Sequence, residues 1–203
     1  MIDKFCTFLT KKIREEMPEI DDERAEIIEY GLQNIIGEMP KGFIILIIAY
    51  FLGIFKLTLI AMLIIAPYRC VSGGVHMKTH IGCIIHTFLL YGGVAFLGKY
   101  IVLEGIIKYI IAAVVWTFSM IMIKLYAPAD TENVPILRKK ERRQKQIFSY
   151  IILTVEFIIA LTINNPIIRT IIIIGDLLQT FTITRFAYNI TDNKYGHEVY
   201  ADI

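Results

Sequence analysis

The sequence predicts an all-α polytopic membrane protein, with about six membrane helices and an N-terminal amphipathic helix at the membrane interface. Of its 203 residues, 56% are hydrophobic, and the mean hydropathy is +0.59. The charged residues are concentrated in short segments between long apolar runs, and no run alternates as a half-buried strand would. No compositional break divides the chain, so we expect one integral-membrane domain over residues 1–203 rather than a soluble protein.

The N-terminal segment is amphipathic rather than spanning. Its apolar residues recur at helical spacing on one face and its basic residues lie elsewhere, which is typical of a helix in the membrane interface. The apolar positions are Ile2, Phe5, Cys6, Leu9 and Ile13. After Pro18, Asp21 or Asp22 can cap a second helix with a near-helical apolar pattern.

Six apolar runs follow, of which the first two adjoin. Between residues 42 and 67, two runs meet at Lys56. Because a bilayer needs about 20 apolar residues per helix, these runs form one long tilted helix or a hairpin that borrows length from residues 35–41, and we favour the hairpin. The clearer spans cover residues 81–98, 106–126, 147–163 and 167–186.

A basic loop at residues 128–146 sets the expected orientation. The positive-inside rule places this loop in the cytoplasm, and counting two crossings in each direction places residues 69–83 and 189–203 on the same side. The basic residues of the loop that we single out are Arg138, Lys139, Lys140, Arg142 and Arg143.

Residues 69–83 carry the strongest sign of chemistry, because His76 and Cys83 lie seven positions apart beside two apolar spans. A thiol with a base in reach indicates covalent catalysis. On one continuous helix the two would lie about 20° apart in projection but two turns from each other, so contact requires a bend. Gly73, Gly74 and Gly82 permit one. Near a helix start, unpaired N–H groups also favour the thiolate of Cys83.

Two other interpretations compete with this one. His76, His80, Cys83 and His86 place four zinc-type ligands within eleven residues, which would suit a metal-binding or transport protein. Side chains on one straight helix cannot all converge on a metal ion, so we expect no metal and no cofactor. Alternatively, these residues only pack helices in a non-catalytic membrane scaffold. We take Cys6 and Cys70 as structural thiols.

The combination of motifs resembles the accessory gene regulator protein B (AgrB) family, membrane cysteine endopeptidases of Gram-positive quorum sensing. Arg69, Gly73-Gly74-Val75-His76 and Cys83 match the first motif of that family. The run Tyr-Ala-Pro-Ala-Asp-Thr-Glu-Asn at residues 126–133, followed by a proline and an isoleucine, resembles the second. Val134 stands where the family commonly has Arg or Lys, a departure that bears on substrate contact rather than on the nucleophile.

The resemblance implies a protease that cleaves an AgrD-like propeptide and promotes formation of a cyclic thiolactone or lactone autoinducing peptide. Cys83 and His76 would then be the catalytic pair, at the cytoplasmic face of the cell membrane. The expected partners are the propeptide, membrane lipid and a second copy in a homodimer, with no nucleic acid.

The remaining residues of the motifs have less specific predicted roles. Arg69 either orients the substrate and its oxyanion or anchors a helix at the interface. Gly73 and Gly74 allow close backbone approach, and their N–H groups are candidate oxyanion donors. Asp130 is a candidate third member that orients His76, or else a turn residue. The basic run recruits the acidic tail of the propeptide or binds anionic lipid.

Overall fold

The computed structural model describes residues 2–17, 19–77, 79–132 and 135–200. Within these ranges the chain is helical and contains isolated β-bridges but no β-strand, which confirms the all-α prediction. The chain divides into two compact units, residues 1–48 and residues 49–203. The candidate site lies entirely in the second unit.

The first unit contains α1, Ile2–Glu16, and most of α2, Asp22–Phe51. The predicted amphipathic helix is therefore present, and Cys6 is fully buried on it while Phe5 remains half exposed. Asp21 caps the start of α2, as predicted: its carboxylate accepts a hydrogen bond from the backbone N–H of Arg24 at 2.8 Å.

The apolar residues between 39 and 72 belong to two helices rather than to one. The apolar part of α2 is Met39–Phe51, and α3 covers Phe55–Ser72. The helices are separated at residues 52–54, where Gly53 has a φ of +68° that favours glycine. The prediction of a single long helix is therefore wrong. The helix breaks before Lys56, because Gly53 adopts a backbone conformation with positive φ.

In the part of the chain that the structure describes, four helical stretches are long and apolar enough to cross a membrane: Phe55–Ser72, Ile81–Tyr100, Gly105–Tyr126 and Lys139–Thr162. The second comprises α4, His80–Phe88, a π-helical turn, Leu89–Gly93, and α5, Val94–Tyr100, whereas the last two are α6 and α7. These helices expose large apolar side chains such as Leu63 and Ile110, which suits lipid contact. The chain is thus a multi-pass membrane protein.

Helix α8, Pro166–Thr182, lies at the centre of the second unit and contacts α3, α5, α6 and α7. Asn165 caps it by accepting hydrogen bonds from two backbone N–H groups. Near this end, the buried guanidinium of Arg169 donates to the carbonyls of Leu103, Ala160 and Ile163 at 2.6–3.1 Å. These carbonyls satisfy an otherwise costly buried charge.

Helices α3 and α8 run in the same direction, so their C-terminal ends meet. A Cβ on Gly175 would collide with Ile65, and one turn further along Tyr68 and Thr180 share a hydrogen bond of 3.0 Å. Beyond α8 the chain forms two short helices, α9, Arg185–Ile190, and α10, Gly196–Val199. The last predicted span therefore ends at residue 182 rather than 186, and both motif-bearing loops gather where α3 and α8 end.

Candidate functional site

The segment that carries His76 is held by backbone hydrogen bonds on both sides. Gly73 forms a parallel bridge with Ala129, through bonds from Gly74 N–H to the Ala129 carbonyl at 2.9 Å and from Ala129 N–H to the Ser72 carbonyl at 2.8 Å. On the other side, Val75 N–H donates to the Thr182 carbonyl at 3.1 Å. The two motifs recognised in the sequence are therefore paired directly in space.

Gly73 and Gly74 are required by this pairing. Their φ angles are +74° and +141°, and an added Cβ would collide with the Ala129 carbonyl or the Thr182 side chain. Their N–H groups donate to the carbonyls of Arg69 and Ala129. Because both N–H groups are used by the fold, neither is available as an oxyanion donor in this structure.

Arg69 lies in the last turn of α3 and joins the loop to α8. Its guanidinium donates to the Val75 carbonyl at 2.9 Å and to Gln179 Oε1 at 3.0 Å, with a longer contact of 3.4 Å to Thr182. Gln179 in turn donates to the Gly73 carbonyl at 2.8 Å. These bonds give Arg69 a part in holding the His76 loop, in addition to the roles considered from sequence.

Cys83 lies in the first turn of α4, as the sequence predicts. Thr79 caps the helix by accepting from Gly82 N–H at 3.0 Å, and Cys83 N–H donates to the Thr79 carbonyl at 2.9 Å. The Cys83 side chain is buried, with 9% of the residue exposed. Residues 74–77 are not helical, so the backbone departs from one straight helix between His76 and Cys83.

His86 lies on the same helix as Cys83. It follows Cys83 by three positions on α4, which places both on neighbouring parts of one helix face. The non-helical segment with His76 leads directly into α4 through the Thr79 cap, so His76 and Cys83 lie on either side of the start of that helix. The Nε2 atom of His86 is buried and has no hydrogen-bond partner among the residues that the structure describes.

The structure does not assemble a metal centre from its described residues. Among them, no group of three or more His, Cys, Asp or Glu side chains is placed to hold a metal ion. The side chain of His80, one of the four ligands considered above, lies outside the described part of the chain.

Asp130 is fully buried and binds the C-terminal segment. Its Oδ1 lies 2.6 Å from His197 Nδ1, and its Oδ2 accepts from the N–H groups of His197 and Ile136 at 2.8 and 2.9 Å. Arg142 lies 3.2 Å from Oδ1. The described hydrogen bonds of the Asp130 carboxylate thus go to the tail and its own loop, rather than to His76.

The predicted basic run separates into two parts. Arg142 is half buried and also donates to the carbonyls of Pro128 and Ile136, so it holds the Asp130 loop. The other members are exposed at the start of α7: Arg138, Lys139, Lys140 and Arg143. These four are the basic side chains of the run that a substrate or lipid can reach. Asn133 and Val134, the variable part of the second motif, lie outside the described residues.

The C-terminal segment packs on these loops through stacked tyrosines. The rings of Tyr188 and Tyr195 lie 4.0 Å apart, and Tyr195 also stacks on Tyr126. Burial raises the pKa of both Tyr188 and Tyr195 above the usual range of a phenol. The protonated hydroxyls donate to the carbonyls of Asp130 and Ile183 at 3.0 and 2.8 Å.

Sequence analysis missed several residues that support the site. Gln179 and Thr182 interrupt an apolar run. A polar residue in such a run indicates a specific role, so the sequence did contain a sign of these two residues. Asn193 and His197 lie in a polar tail without any recognisable motif. Their contacts, such as the 2.9 Å bond from Asn193 to the His76 carbonyl, depend on tertiary structure alone.

Comparison with known proteins gives a consistent result. The model of the family described as Accessory gene regulator B matches residues 6–183. An accessory gene regulator protein B of Staphylococcus aureus is 28% identical over 182 residues, covering 90% of this chain and 91% of the relative. Putative AgrB-like proteins of Listeria monocytogenes and Clostridium acetobutylicum are 28% and 24% identical, covering 86% and 83% of this chain and 84% and 78% of the relatives. No solved structure matches.

Proposed function

We propose that this chain, which belongs to the accessory gene regulator B family, is a membrane-embedded cysteine endopeptidase that processes an AgrD-like propeptide in quorum sensing. The observation that carries the proposal is that the loop leading into α4 is anchored at Val75 and at His76 itself, while Cys83 lies buried in the first turn of that helix. Nucleophilic catalysis needs a thiol and a base, and this chain holds both at the start of one helix.

Cleavage would proceed by acyl transfer to sulfur. His76 takes the proton from Cys83 Sγ, and the thiolate attacks the carbonyl carbon of the scissile peptide bond. As the C–N bond breaks, His76 returns the proton to the departing nitrogen. The C-terminal part of the propeptide leaves as a free amine, and the N-terminal part remains as a thioester on Cys83.

Ring closure would then release the product. A Cys or Ser side chain within the bound peptide attacks the thioester carbonyl, forms a thiolactone or lactone, and returns the thiol of Cys83. Exchange of one thioester for another costs little free energy, provided that water is excluded. The burial of Cys83 beside apolar membrane helices supports such exclusion.

The proposed orientation places this site at the cytoplasmic face. The exposed basic residues at the start of α7 would attract the acidic tail of the propeptide, anionic lipid, or both. The membrane would hold the peptide at the interface, and a homodimer is the proposed assembly.

The nucleophile can be tested with the full-length protein, reconstituted with a synthetic propeptide. Cys83→Ser and His76→Ala should each insert and fold normally but abolish cleavage, since acyl transfer needs a thiolate and a base. Cys70→Ser, the same change at an exposed thiol on α3, is the matched control and should cleave normally. Near-normal cleavage by Cys83→Ser would overturn the proposal. If the purified protein instead contains stoichiometric zinc, and a variant with His86 replaced does not, the metal-binding alternative is favoured.

A further inference from the structure

The C-terminal segment, residues 191–199, contacts the His76 loop, although the family match ends at residue 183. The side-chain amide of Asn193 donates to the carbonyl of His76 at 2.9 Å, across 117 positions of sequence. The backbone of His76 is thereby bonded directly to a part of the chain that the family model does not include.

We propose that Asn193 is a positioning residue, which fixes His76 for proton transfer with Cys83. This inference rests on the proposed function. It makes the C-terminal segment part of the catalytic apparatus, rather than a passive extension after the last membrane helix.

Other hydrogen bonds orient the side-chain amide of Asn193 toward His76. Its backbone N–H donates to the Tyr188 carbonyl at 2.9 Å, and its Nδ2 also donates to Thr191 Oγ1 at 2.8 Å. The Thr191 hydroxyl in turn donates to the Ala187 carbonyl at 2.8 Å. One amide hydrogen is therefore used by α9 and its following turn, and the other is directed at the His76 carbonyl.

Asn193 supplies the final anchor of the His76 loop. The earlier anchors hold the residues before His76: Ala129 bonds Gly74, and Thr182 and Arg69 bond Val75. The contact from Asn193 bonds His76 itself, whose side chain is exposed. A displacement of about 1 Å at a reacting group can lower a rate about 100-fold. Loss of the bond from Asn193 should therefore slow catalysis by displacing His76.

The tail is firmly attached, so it can serve as a support. Tyr195 is buried in a stack with Tyr188 and donates to the Ile183 carbonyl. His197 binds Asp130, and a Cβ on Gly196 would collide with the Thr131 carbonyl. The segment on both sides of Asn193 is thus fixed to α9 and to the Asp130 loop.

The chain offers a matched pair of variants. Asn193 and Asn189 line the same surface cavity of about 260 Å³. Of the two, Asn193 is the one with a described hydrogen bond to His76. Asn193→Asp and Asn189→Asp each add one negative charge to the lining of that cavity, and only the first replaces the donor to His76 by an acceptor. Asn193→Ala removes the donor without adding a charge.

The test uses the full-length protein in proteoliposomes with a synthetic propeptide. We expect Asn193→Asp and Asn193→Ala to lower kcat by about 10-fold to 100-fold with little change in KM, whereas Asn189→Asp should match wild type. Alkylation of Cys83 by iodoacetamide should also slow in both Asn193 variants, as it should in His76→Ala. The Cys83 peptide is followed by mass spectrometry, because Cys70 is exposed and will also react.

Two results would overturn the inference. One is an Asn193→Asp variant with the kcat and Cys83 alkylation rate of Asn189→Asp. The other is loss of activity by both Asn193 variants at an unchanged alkylation rate, which would mean that His76 still meets Cys83. Failure of the proposed function would be distinct, because Cys83→Ser would then cleave the propeptide as wild type does.

Discussion

Replacing Gly73 by alanine should separate the effect of backbone strain from that of the contact between the two motif-bearing loops. A residue with a Cβ at the φ of +74° and ψ of −152° of Gly73 costs about 1–3 kcal/mol, because essentially only glycine occupies that backbone region. The Cβ would also collide with the Ala129 carbonyl, which must withdraw. Two backbone hydrogen bonds join these loops there, each contributing about 0.5–1.5 kcal/mol. We therefore expect a total loss of about 2–6 kcal/mol in the free energy of unfolding.

Two other glycines provide controls for the same substitution. Gly105 has a φ of +59° but open space around an added Cβ, so Gly105→Ala should cost only the strain of about 1–2 kcal/mol. Gly93 has a helical φ of −62° and open space, so Gly93→Ala should be neutral or stabilise by about 0.5–1 kcal/mol. Thermal unfolding in one detergent should rank the variants Gly93→Ala, Gly105→Ala and Gly73→Ala from most to least stable.

Activity provides the sharper comparison. At a temperature where all three variants are folded, Gly73→Ala should cleave propeptide at least about tenfold more slowly than wild type, because the displaced loop carries His76. Gly105→Ala should retain near-normal cleavage. If Gly73→Ala matches Gly105→Ala in both stability and cleavage, the pairing of the two loops does not position the site and the reasoning fails.

Three further predictions concern topology, the basic run and the Asp130 loop. A membrane-impermeant thiol reagent applied to intact cells should miss a cysteine introduced by Lys140→Cys and label one introduced by Asn165→Cys; the opposite pattern would refute the cytoplasmic orientation. Neutralising Lys139 and Lys140 together should raise the KM for propeptide without lowering the melting temperature, and an unchanged KM would leave lipid attachment as their role. Arg142→Gln should instead lower the melting temperature. Asp130→Ala should destabilise by about 1.5–3 kcal/mol in thermal unfolding, because it leaves the partly buried side chains of Arg142 and His197 without their carboxylate partner; a loss below about 1 kcal/mol would contradict its structural role.

The membrane helices were the most predictable part of the structure. Apolar runs long enough to cross a bilayer have few alternatives to helix, because backbone polar groups must be satisfied within the segment. The break between α2 and α3 was harder to locate. Lys56 interrupts the apolar pattern, but the chain breaks at Gly53, where a left-handed backbone conformation is accessible without strain.

The candidate site was predictable in composition but not in arrangement. The sequence motifs select Arg69, His76 and Cys83, and the apolar span predicted from residue 81 places the start of α4 close before Cys83. The pairing of Gly73 with Ala129 joins loops 56 positions apart, and no local periodicity encodes such a contact. The same is true of Asp130, whose turn-like sequence gives no sign that its carboxylate binds His197.

If Cys83 carries the acyl group of the substrate, the covalent adduct can be trapped on that residue. Wild-type protein is mixed with propeptide, quenched in acid within one turnover, and digested for mass spectrometry with and without hydroxylamine. A thioester on Cys83 predicts a mass increase equal to the N-terminal part of the propeptide, which hydroxylamine removes and which His76→Ala fails to form. Rapid propeptide cleavage with no adduct on Cys83 at any quench time, or an adduct confined to Cys70, would contradict the account.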